Sequence, residues 1–432
     1  MRKENIARED SFNNFINKNA GTIAMIPAYL LCFITLMMLI LDMILPSMSD
    51  GQYLIYPLAA RLVSLISILC MAACLGCELE RGRFSVGPED LFFIGFTVCM
   101  LISTYVNGIT HDAIFSVAYR YVGVYDLIIF IFIYRYCASH AFDSRMKRLF
   151  FLAFILVSDL IAIAFFYNLA EGSIAAFNGK LEPSAIFFHG NHYGYFLVMV
   201  IAVSAGCLIY YNGAPAIIGA VSLAVNLGAL ALNRSMGCLI AAGVVLTAVL
   251  AASIIRGGIK RKKALFTVTA ILVLAAVGLT VLKDFREDLA ETATEFIQIL
   301  SGENNIYAGN GRWGIWQYVA DYIKDSPYWG YGCEGIAEIM RDYTLTTSPH
   351  NEPLTYAAFF GIPAAVFYCA AVFTSIVKGF RQNEQGAEKT IAAFAAMAYF
   401  ISSLFGVAFF YTAPFMFVFL GLSSEKKRME PM

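Results

Sequence analysis

The side chains best suited to chemistry are concentrated in one polar stretch of the chain, residues 283–353. This stretch contains His350, three arginines, several carboxylates and all three tryptophans of the protein. Histidine can accept a proton near neutral pH, and arginine presents a permanently charged, planar fork that binds phosphate through two hydrogen bonds. If the protein is an enzyme, we therefore expect proton transfer and anion binding to take place here.

Two residues of this stretch have specific positions. Arg312 begins a predicted helix, residues 312–325, which ends before Pro327. The free N–H groups of a helix N-terminus favour anions, so an arginine there opposes the helix dipole but lies well beside a bound phosphate. The alternative is a surface arginine flanked by packing tryptophans. His350, in TTSPHNEP, is a candidate general base; the alternative is a histidine that only caps the following helix with Asn351.

Arg234 is a third candidate, because it lies between two apolar runs that are joined by almost no loop. Ser235 and Gly237 allow another group to approach it closely, which suits a phosphate. The alternative is an arginine that only extends to the membrane surface. His189 and His192 are one residue short of the i, i+4 spacing of many zinc sites and have no carboxylate or cysteine close by, so we predict no metal site.

Three more charged residues, Arg61, Arg120 and Asp126, fall near the same ends of their apolar runs. A charge inside a membrane protein is costly and needs a partner or water. Their similar depth predicts an outward-facing polar cavity, and salt bridges that only hold the helices together are an equal alternative.

The elements that position these residues are predicted to be membrane helices. The chain has 432 residues, of which 59% are hydrophobic and 14% charged, far fewer charges than in soluble proteins. The net charge of −1 argues against nucleic acid as a partner. We predict an all-α polytopic protein with about twelve spans, or eleven if the last two are one. At about 20 residues per span, they fall at 22–45, 54–77, 90–107, 121–137, 149–167, 193–211, 214–232, 236–255, 264–282, 354–377, 390–407 and 411–423.

The lysines and arginines predict the orientation of these spans. Most of them fall in the two termini and in alternate connections, which is typical of cytoplasmic segments. Both termini are then cytoplasmic, and residues 283–353 form a large external loop between helical regions 1–282 and 354–432. Within the loop, FREDLAETATEFIQIL has the apolar spacing of a helix that lies on a membrane or on the bundle.

Several of these stretches together resemble the O-antigen ligase and polymerase family of bacterial membrane glycosyltransferases. The resemblance extends roughly from Phe187 to Leu422 and rests on five segments: HGNHYGYFL, NRSMG, GNGRWGIWQYVADYIKDSPYWGYGCEG, HNEPLTYAAFFGIPA and SLFGVAFFYTAPFMFVFLGL. The third and fourth segments, in this order around a large external loop, are the most specific.

This resemblance implies a multi-helix fold of the GT-C type in the bacterial inner membrane. It implies an undecaprenyl-diphosphate-linked oligosaccharide as donor, a glycan hydroxyl as acceptor, and no metal or other cofactor. Arg234 and Arg312 match the arginines that hold the donor diphosphate, and His350 matches the catalytic histidine. The chain has His-Gly-Asn-His where the family usually has Asn-Pro-Asn, so Asn191 and His192 are only candidate cavity residues.

From these observations we predict an inverting, metal-independent glycosyltransferase that polymerises lipid-linked repeat units of a surface polysaccharide. The alternative within the family is a ligase that moves the finished polymer to lipid A-core or another acceptor. An alternative of another class is a transporter or flippase for the same lipid. A transporter typically has charged residues near the bilayer midplane on broken helices, whereas here Asp159 is the clear ionisable residue within a span.

Overall fold

The computed structural model describes most of the chain, and its helices are labelled here in chain order. The described residues are 25–44, 51–81, 86–116, 120–139, 143–172, 176–177, 180–181, 184–187, 189–255, 283–303, 305–337, 340, 348–381 and 386–425. The helices are α1 Ile26–Ile44, α2 Gly51–Arg81, α3 Pro88–Asn107, α4 His111–Phe115, α5 Val124–Ser139, α6 Ser144–Ala170, α7 Gly190–Tyr210, α8 Ala214–Asn233, α9 Met236–Ile255, α10 Lys283–Leu300, α11 Arg312–Asp325, α12 Glu352–Phe360, α13 Ile362–Arg381, α14 Ala387–Ser403 and α15 Ala413–Ser424. The described part also contains two short antiparallel strands, β1 Ala176–Phe177 and β2 Lys180–Leu181.

The predicted class, a helical multi-pass membrane protein, is confirmed. Within the described residues, seven helices are long and apolar enough to cross a membrane: α1, α2, α3, α6, α7, α8 and α13. Helices α9 and α15 contribute shorter apolar segments. These seven fall short of the predicted twelve, and the predicted span at 264–282 lies outside the described residues.

Helix α7 forms the centre of the bundle. It packs against α8, α9 and α14, and nearly all of its side chains are buried. A helix that is apolar on every face must be surrounded by lipid or by protein, and here protein surrounds it. Since α7 begins at Gly190 and packs along α8 and α9, the His189–His192 segment lies where α8 ends and α9 begins.

The single span predicted at 354–377 is wrong, because Gly361 divides it into α12 and α13. Gly361 adopts a φ of 91°, and a Cβ at this position would lie 2.1 Å from the carbonyl oxygen of Tyr328. The freed carbonyls of α12 accept from the loop before it; for example, Tyr331 N donates to Ala358 O at 2.9 Å. A helix can break inside a membrane protein only when other protein groups satisfy its backbone in this way.

Both helices predicted within 283–353 are present. Helix α11 has the predicted bounds, and α10 covers the FREDLAETATEFIQIL segment. On α10, Phe296 and Ile297 are exposed. This exposed apolar side suits a helix that lies on a membrane surface.

Candidate active site

Four segments that carry predicted site residues meet at one end of the bundle. They are the start of α7, the connection between α8 and α9, helix α11 and the start of α12. We call this end the site end. Hydrogen bonds join the start of α7 to the α8–α9 connection, and α11 to the segment before α12. Electrostatic interactions of Arg312 with Tyr195 and Cys238, and of His350 with His189, connect the two pairs.

The α8–α9 connection holds Arg234 against the start of α7. Asn233 Nδ2 donates to the Gly190 carbonyl oxygen at 2.9 Å, and Ser235 Oγ donates to Asn191 Oδ1 at 2.8 Å. Arg234 itself has a left-handed backbone, with φ 61°, and an exposed side chain. Such a conformation is uncommon outside glycine and costs free energy, so its neighbours must hold it in place. The backbone of Arg234 is thereby held at the junction, and its side chain lies at the surface.

The two histidines of the α7 start have different environments. His189 caps the helix, because the Asn191 N–H donates to its Nδ1 at 3.1 Å. His192 is buried, forms a 2.7 Å hydrogen bond with the Tyr411 hydroxyl, and packs on Phe409 with ring centroids 3.7 Å apart. His192 is therefore a core residue. Within the part of the chain that is described, no group of three or more His, Cys, Asp or Glu could hold a metal ion.

Helix α11 brings Arg312 and the segment before His350 together. Arg312 and Trp316 are four residues apart and so lie on the same face of the helix. Trp316 Nε1 donates to the Pro349 carbonyl oxygen at 2.9 Å, and its ring packs near Phe405, with centroids 6.3 Å apart. The helix face that carries Arg312 is thus tied directly to the residue before His350.

The Arg312 guanidinium lies among groups of the bundle core. Burial lowers the pKa of Arg312, while Tyr195 on α7 and Cys238 on α9 act in the opposite direction. Among the described residues, no carboxylate forms a salt bridge with it. Arginine does not lose its proton in proteins, so this position keeps a positive charge and stays available to an anion.

His350 lies where these segments converge. It is half-buried and, like Arg234, has a left-handed backbone, with φ 52°. Burial, as the largest cause, and the charges of Arg312, His189 and Arg120 together lower the pKa of His350 to about 3. The imidazole is therefore neutral at neutral pH. An anion bound nearby offsets the surrounding positive charge and raises the affinity of the imidazole for a proton.

Arg61, Arg120 and Asp126 were predicted to line one outward-facing cavity. The structure places one of them, Arg120, in the wall of a cavity. Arg120 is buried, lies 3.1 Å from Glu334 in a salt bridge, and lines a small cavity beside α12. Asp126 accepts from the Gly123 N–H at 3.1 Å at the start of α5. Arg61 is exposed on α2. The structure therefore brings Arg120, and not Arg61, to the group around His350.

Three residues with evident roles at the site end were not predicted from the sequence. Trp316 holds Pro349, Glu334 holds Arg120, and Glu352 lies buried two residues after His350. The spacing of Trp316 from Arg312 was visible in the sequence as one helical turn. Nothing in the sequence pairs Glu334 with Arg120, because the two residues are 214 positions apart in the chain. Ser116, which also donates a hydrogen bond to Glu334, is 218 positions away from it.

The comparison with protein families agrees with this arrangement. Residues 220–369, which contain Arg234, Arg312 and His350, match the family model described as O-antigen ligase. The match covers about a third of the chain and supports its resemblance to the O-antigen ligase and polymerase family. No curated protein and no solved structure matches the chain.

Proposed function

We propose that this O-antigen ligase-type membrane enzyme polymerises undecaprenyl-diphosphate-linked repeat units of a surface polysaccharide. The observation that carries the proposal is the position of His350 beside Arg312. A group that can take a proton lies next to a fixed positive charge that no described carboxylate neutralises. Glycosyl transfer from a diphosphate needs both.

In the proposed reaction, Arg312 and Arg234 bind the donor diphosphate. An oxygen of the acceptor glycan attacks the anomeric carbon, the bond from that carbon to the diphosphate oxygen breaks, and undecaprenyl diphosphate leaves with the bonding electrons. Positive groups that are already in place stabilise the charge that develops on this leaving group. One displacement of this kind inverts the anomeric configuration.

His350 receives the proton of the attacking hydroxyl. In the free protein its pKa is lowered by burial and by nearby positive charge. The negative diphosphate offsets that charge, so donor binding raises the proton affinity of the imidazole. His350 thus becomes an effective base when the donor is present, and it returns the proton to solvent after transfer.

A ligase that transfers a finished polymer uses the same groups, so the family alternative differs only in the acceptor. The transporter alternative has less support. Asp159, the ionisable residue within a span, accepts hydrogen bonds from Ser222 and Asn226, both at 2.7 Å. These neutral donors hold α6 against α8, and Asp159 forms no salt bridge with a described cation, as in a packing contact between helices.

We further propose that the enzyme lies in the bacterial inner membrane with both termini in the cytoplasm and the site end outside. A reporter that is active only outside the cytoplasm should function when fused after Gly302 and not after Gly257. The opposite pattern contradicts both the orientation and the external position of the site.

The decisive experiment for the function uses purified protein in liposomes with an undecaprenyl-diphosphate-linked repeat unit. We expect longer lipid-linked glycans to form, and we expect transfer to continue in EDTA. Transfer that stops in EDTA and returns with magnesium or manganese contradicts a metal-independent reaction. Transfer only to an added lipid A-core acceptor identifies a ligase.

A further inference from the structure

The carboxyl group of Glu352 lies in a buried pocket of tyrosines at the start of α12. Its Oε1 accepts from the Tyr368 hydroxyl at 2.5 Å and from the Tyr356 hydroxyl at 3.1 Å. The side chain is 2% exposed, and Oε2 has no hydrogen-bond partner within the described structure. Tyr399 of α14 lies next to the same carboxyl. Helices α12, α13 and α14 therefore meet on this one side chain.

A buried carboxyl whose second oxygen has no hydrogen bond of good geometry is a costly way to join helices. Apolar side chains of similar volume often give equal or greater stability than a buried polar network. Glu352 also lines a cavity of ≈ 20 Å³, together with Arg120, which is about the room that one water molecule needs. Packing alone gives no reason for a carboxyl at this position.

The position of Glu352 connects it to the proposed base. The chain at His350 is held from two sides. On one side Trp316 bonds to Pro349; on the other, Asn351 caps α12 by accepting from the Leu354 N–H at 2.9 Å. Glu352 is the first residue of this helix, and its bond to Tyr368 fixes the first turn of α12 to α13 across the break at Gly361. Since His350 has a strained, left-handed backbone, its direction depends on both attachments.

We propose that Glu352 is a positioning residue, which fixes the start of α12 through Tyr368 and Tyr356 and thereby directs the His350 imidazole toward the acceptor hydroxyl. The inference rests on the proposed function of His350. Glu352 itself does not touch the reacting atoms. Its effect on transfer passes through His350.

The first test compares Glu352→Gln and Tyr368→Phe with the wild type. Each change weakens the hydrogen bonding that fixes the start of α12, so we expect either change to lower kcat about tenfold. The KM for acceptor and the affinity for the lipid-linked donor should stay within about twofold, because the arginines are untouched. Tyr29→Phe is the matched control: it removes a 2.9 Å hydrogen bond from a tyrosine hydroxyl to Met146 O, far from the site, and should leave kcat unchanged.

The second test repeats both changes in a His350→Ala background. If Glu352 acts through His350, Glu352→Gln should cause no further loss when His350 is absent. A further tenfold loss in that background overturns the proposal, because it means that Glu352 acts independently. Thermal destabilisation with unchanged kcat overturns it as well, since the carboxyl is then only structural. If Glu352→Gln does not fold, Tyr368→Phe carries the same comparison.

A third measurement does not depend on glycan transfer. The imidazole of His350 can be titrated by NMR in histidine-labelled protein, and its pKa of about 3 reports its held position among Arg312 and His189. Release of the side chain in Glu352→Gln should raise this pKa toward the ordinary value. An unchanged titration overturns the inference even if transfer falls. If the wild type transfers no glycan at all, the proposed function fails, and the titration still decides whether Glu352 positions His350.

Discussion

The two ends of the helical bundle differ in how their charged side chains are paired. At the end opposite the site end, which we call the ion-paired end, carboxylates near one helix terminus contact cations near another. All of these carboxylates are buried. Four of these pairs have N–O distances of 2.6 to 2.9 Å, namely Lys378–Glu89, Arg135–Asp90, Lys147–Glu425 and Arg148–Glu388. A fifth, Lys389–Glu425, has an N–O distance of 3.9 Å.

At the site end, the described cations are not all paired with carboxylates in this way. Arg312 has no carboxylate partner among the described residues, and its charge acts on a neutral His350 instead. The salt bridge of Arg120 with Glu334 is the exception, and it ties the loop before α12 to the start of α5. Among the described residues of the site end, the charge of Arg312 is therefore not offset by a salt bridge to a carboxylate.

This difference separates structural charges from functional ones. A buried ion pair costs desolvation for both partners, which the pair offsets only when both are present. A cation buried without a carboxylate has no such compensation from the protein. It is retained where a ligand supplies the negative charge. The comparison thus predicts that changes at the site end impair transfer, whereas changes at the ion-paired end impair stability.

The largest effect is expected at His350. A general base typically contributes about 10²–10⁴-fold, so His350→Gln should lower turnover by about that factor. Donor binding, which depends mainly on the arginines, should change far less. The measurement pairs turnover with binding of the lipid-linked donor in the same purified protein. Turnover within about threefold of the wild type makes His350 a structural cap, and a parallel loss of donor binding means that it holds the diphosphate.

The pH dependence sharpens the role of His350. Protonation of the imidazole removes the base, so activity falls as the pH drops through its pKa, which is about 3 in the free protein. The acid limb of kcat/KM reports the free enzyme and the limb of kcat reports the bound complex. Because the diphosphate offsets the charge of Arg312, the kcat limb should lie at the higher pH. Coinciding limbs contradict the proposed effect of the donor on His350.

Arg312 comes next in expected effect. Removing one preorganised group that stabilises developing charge costs about 10²–10³-fold, so we expect a loss of this size in Arg312→Ala. Arg312→Lys should recover only part of it, because a point charge does not replace the two-pronged guanidinium. Donor affinity and turnover should both fall, which distinguishes this variant from His350→Gln. Full recovery with lysine contradicts bidentate binding.

The sequence predicted the helical elements at the site end better than their packing. The bounds of α11 followed from Arg312 and Pro327, since a proline after an amphipathic segment ends a helix. The break at Gly361 was missed because the apolar run continues through it. Hydropathy reports the polarity of each residue, and not whether a distant loop such as Tyr331 satisfies the freed backbone.

For the site as well, the chemically active residues could be predicted from the sequence, whereas the residues that hold them could not. Arg234, Arg312 and His350 could be selected because few residue types bind phosphate or accept protons. The partners that hold them, such as Trp316 for Pro349 and Tyr368 for Glu352, depend on contacts between separate helices. A tyrosine within an apolar run looks like any other core aromatic until the fold places a carboxyl 2.5 Å from its hydroxyl.

Trp316 should show a smaller effect than Arg312. Trp316→Phe keeps an aromatic ring near Phe405 but removes the hydrogen bond to Pro349 O. A typical hydrogen bond contributes about 0.5–1.5 kcal/mol, which corresponds to a loss of roughly two- to tenfold in turnover if all of it positions His350. Trp313→Phe is the matched control on the same helix. Equal losses in both variants mean that the indole N–H has no specific role.

The smallest effect on turnover is expected at the ion-paired end, where Glu425→Ala tests the other half of the comparison. Lys147 Nζ lies 2.6 Å from Glu425 Oε2, and both side chains are 5% exposed. Removing one partner of a buried pair leaves an uncompensated charge and costs about 3–5 kcal/mol of stability. Since α15 and α6 carry these residues far from His350, turnover per folded molecule should stay within about threefold of the wild type.

The matched control is Lys324→Ala, which removes a pair of the same 2.6 Å length whose side chains are 75% and 71% exposed. Solvent screens such a pair, so its loss should leave the unfolding temperature unchanged. A Glu425→Ala protein that is as stable as the wild type but transfers poorly would reverse the comparison, because the ion-paired end would then contribute to the reaction rather than to the fold.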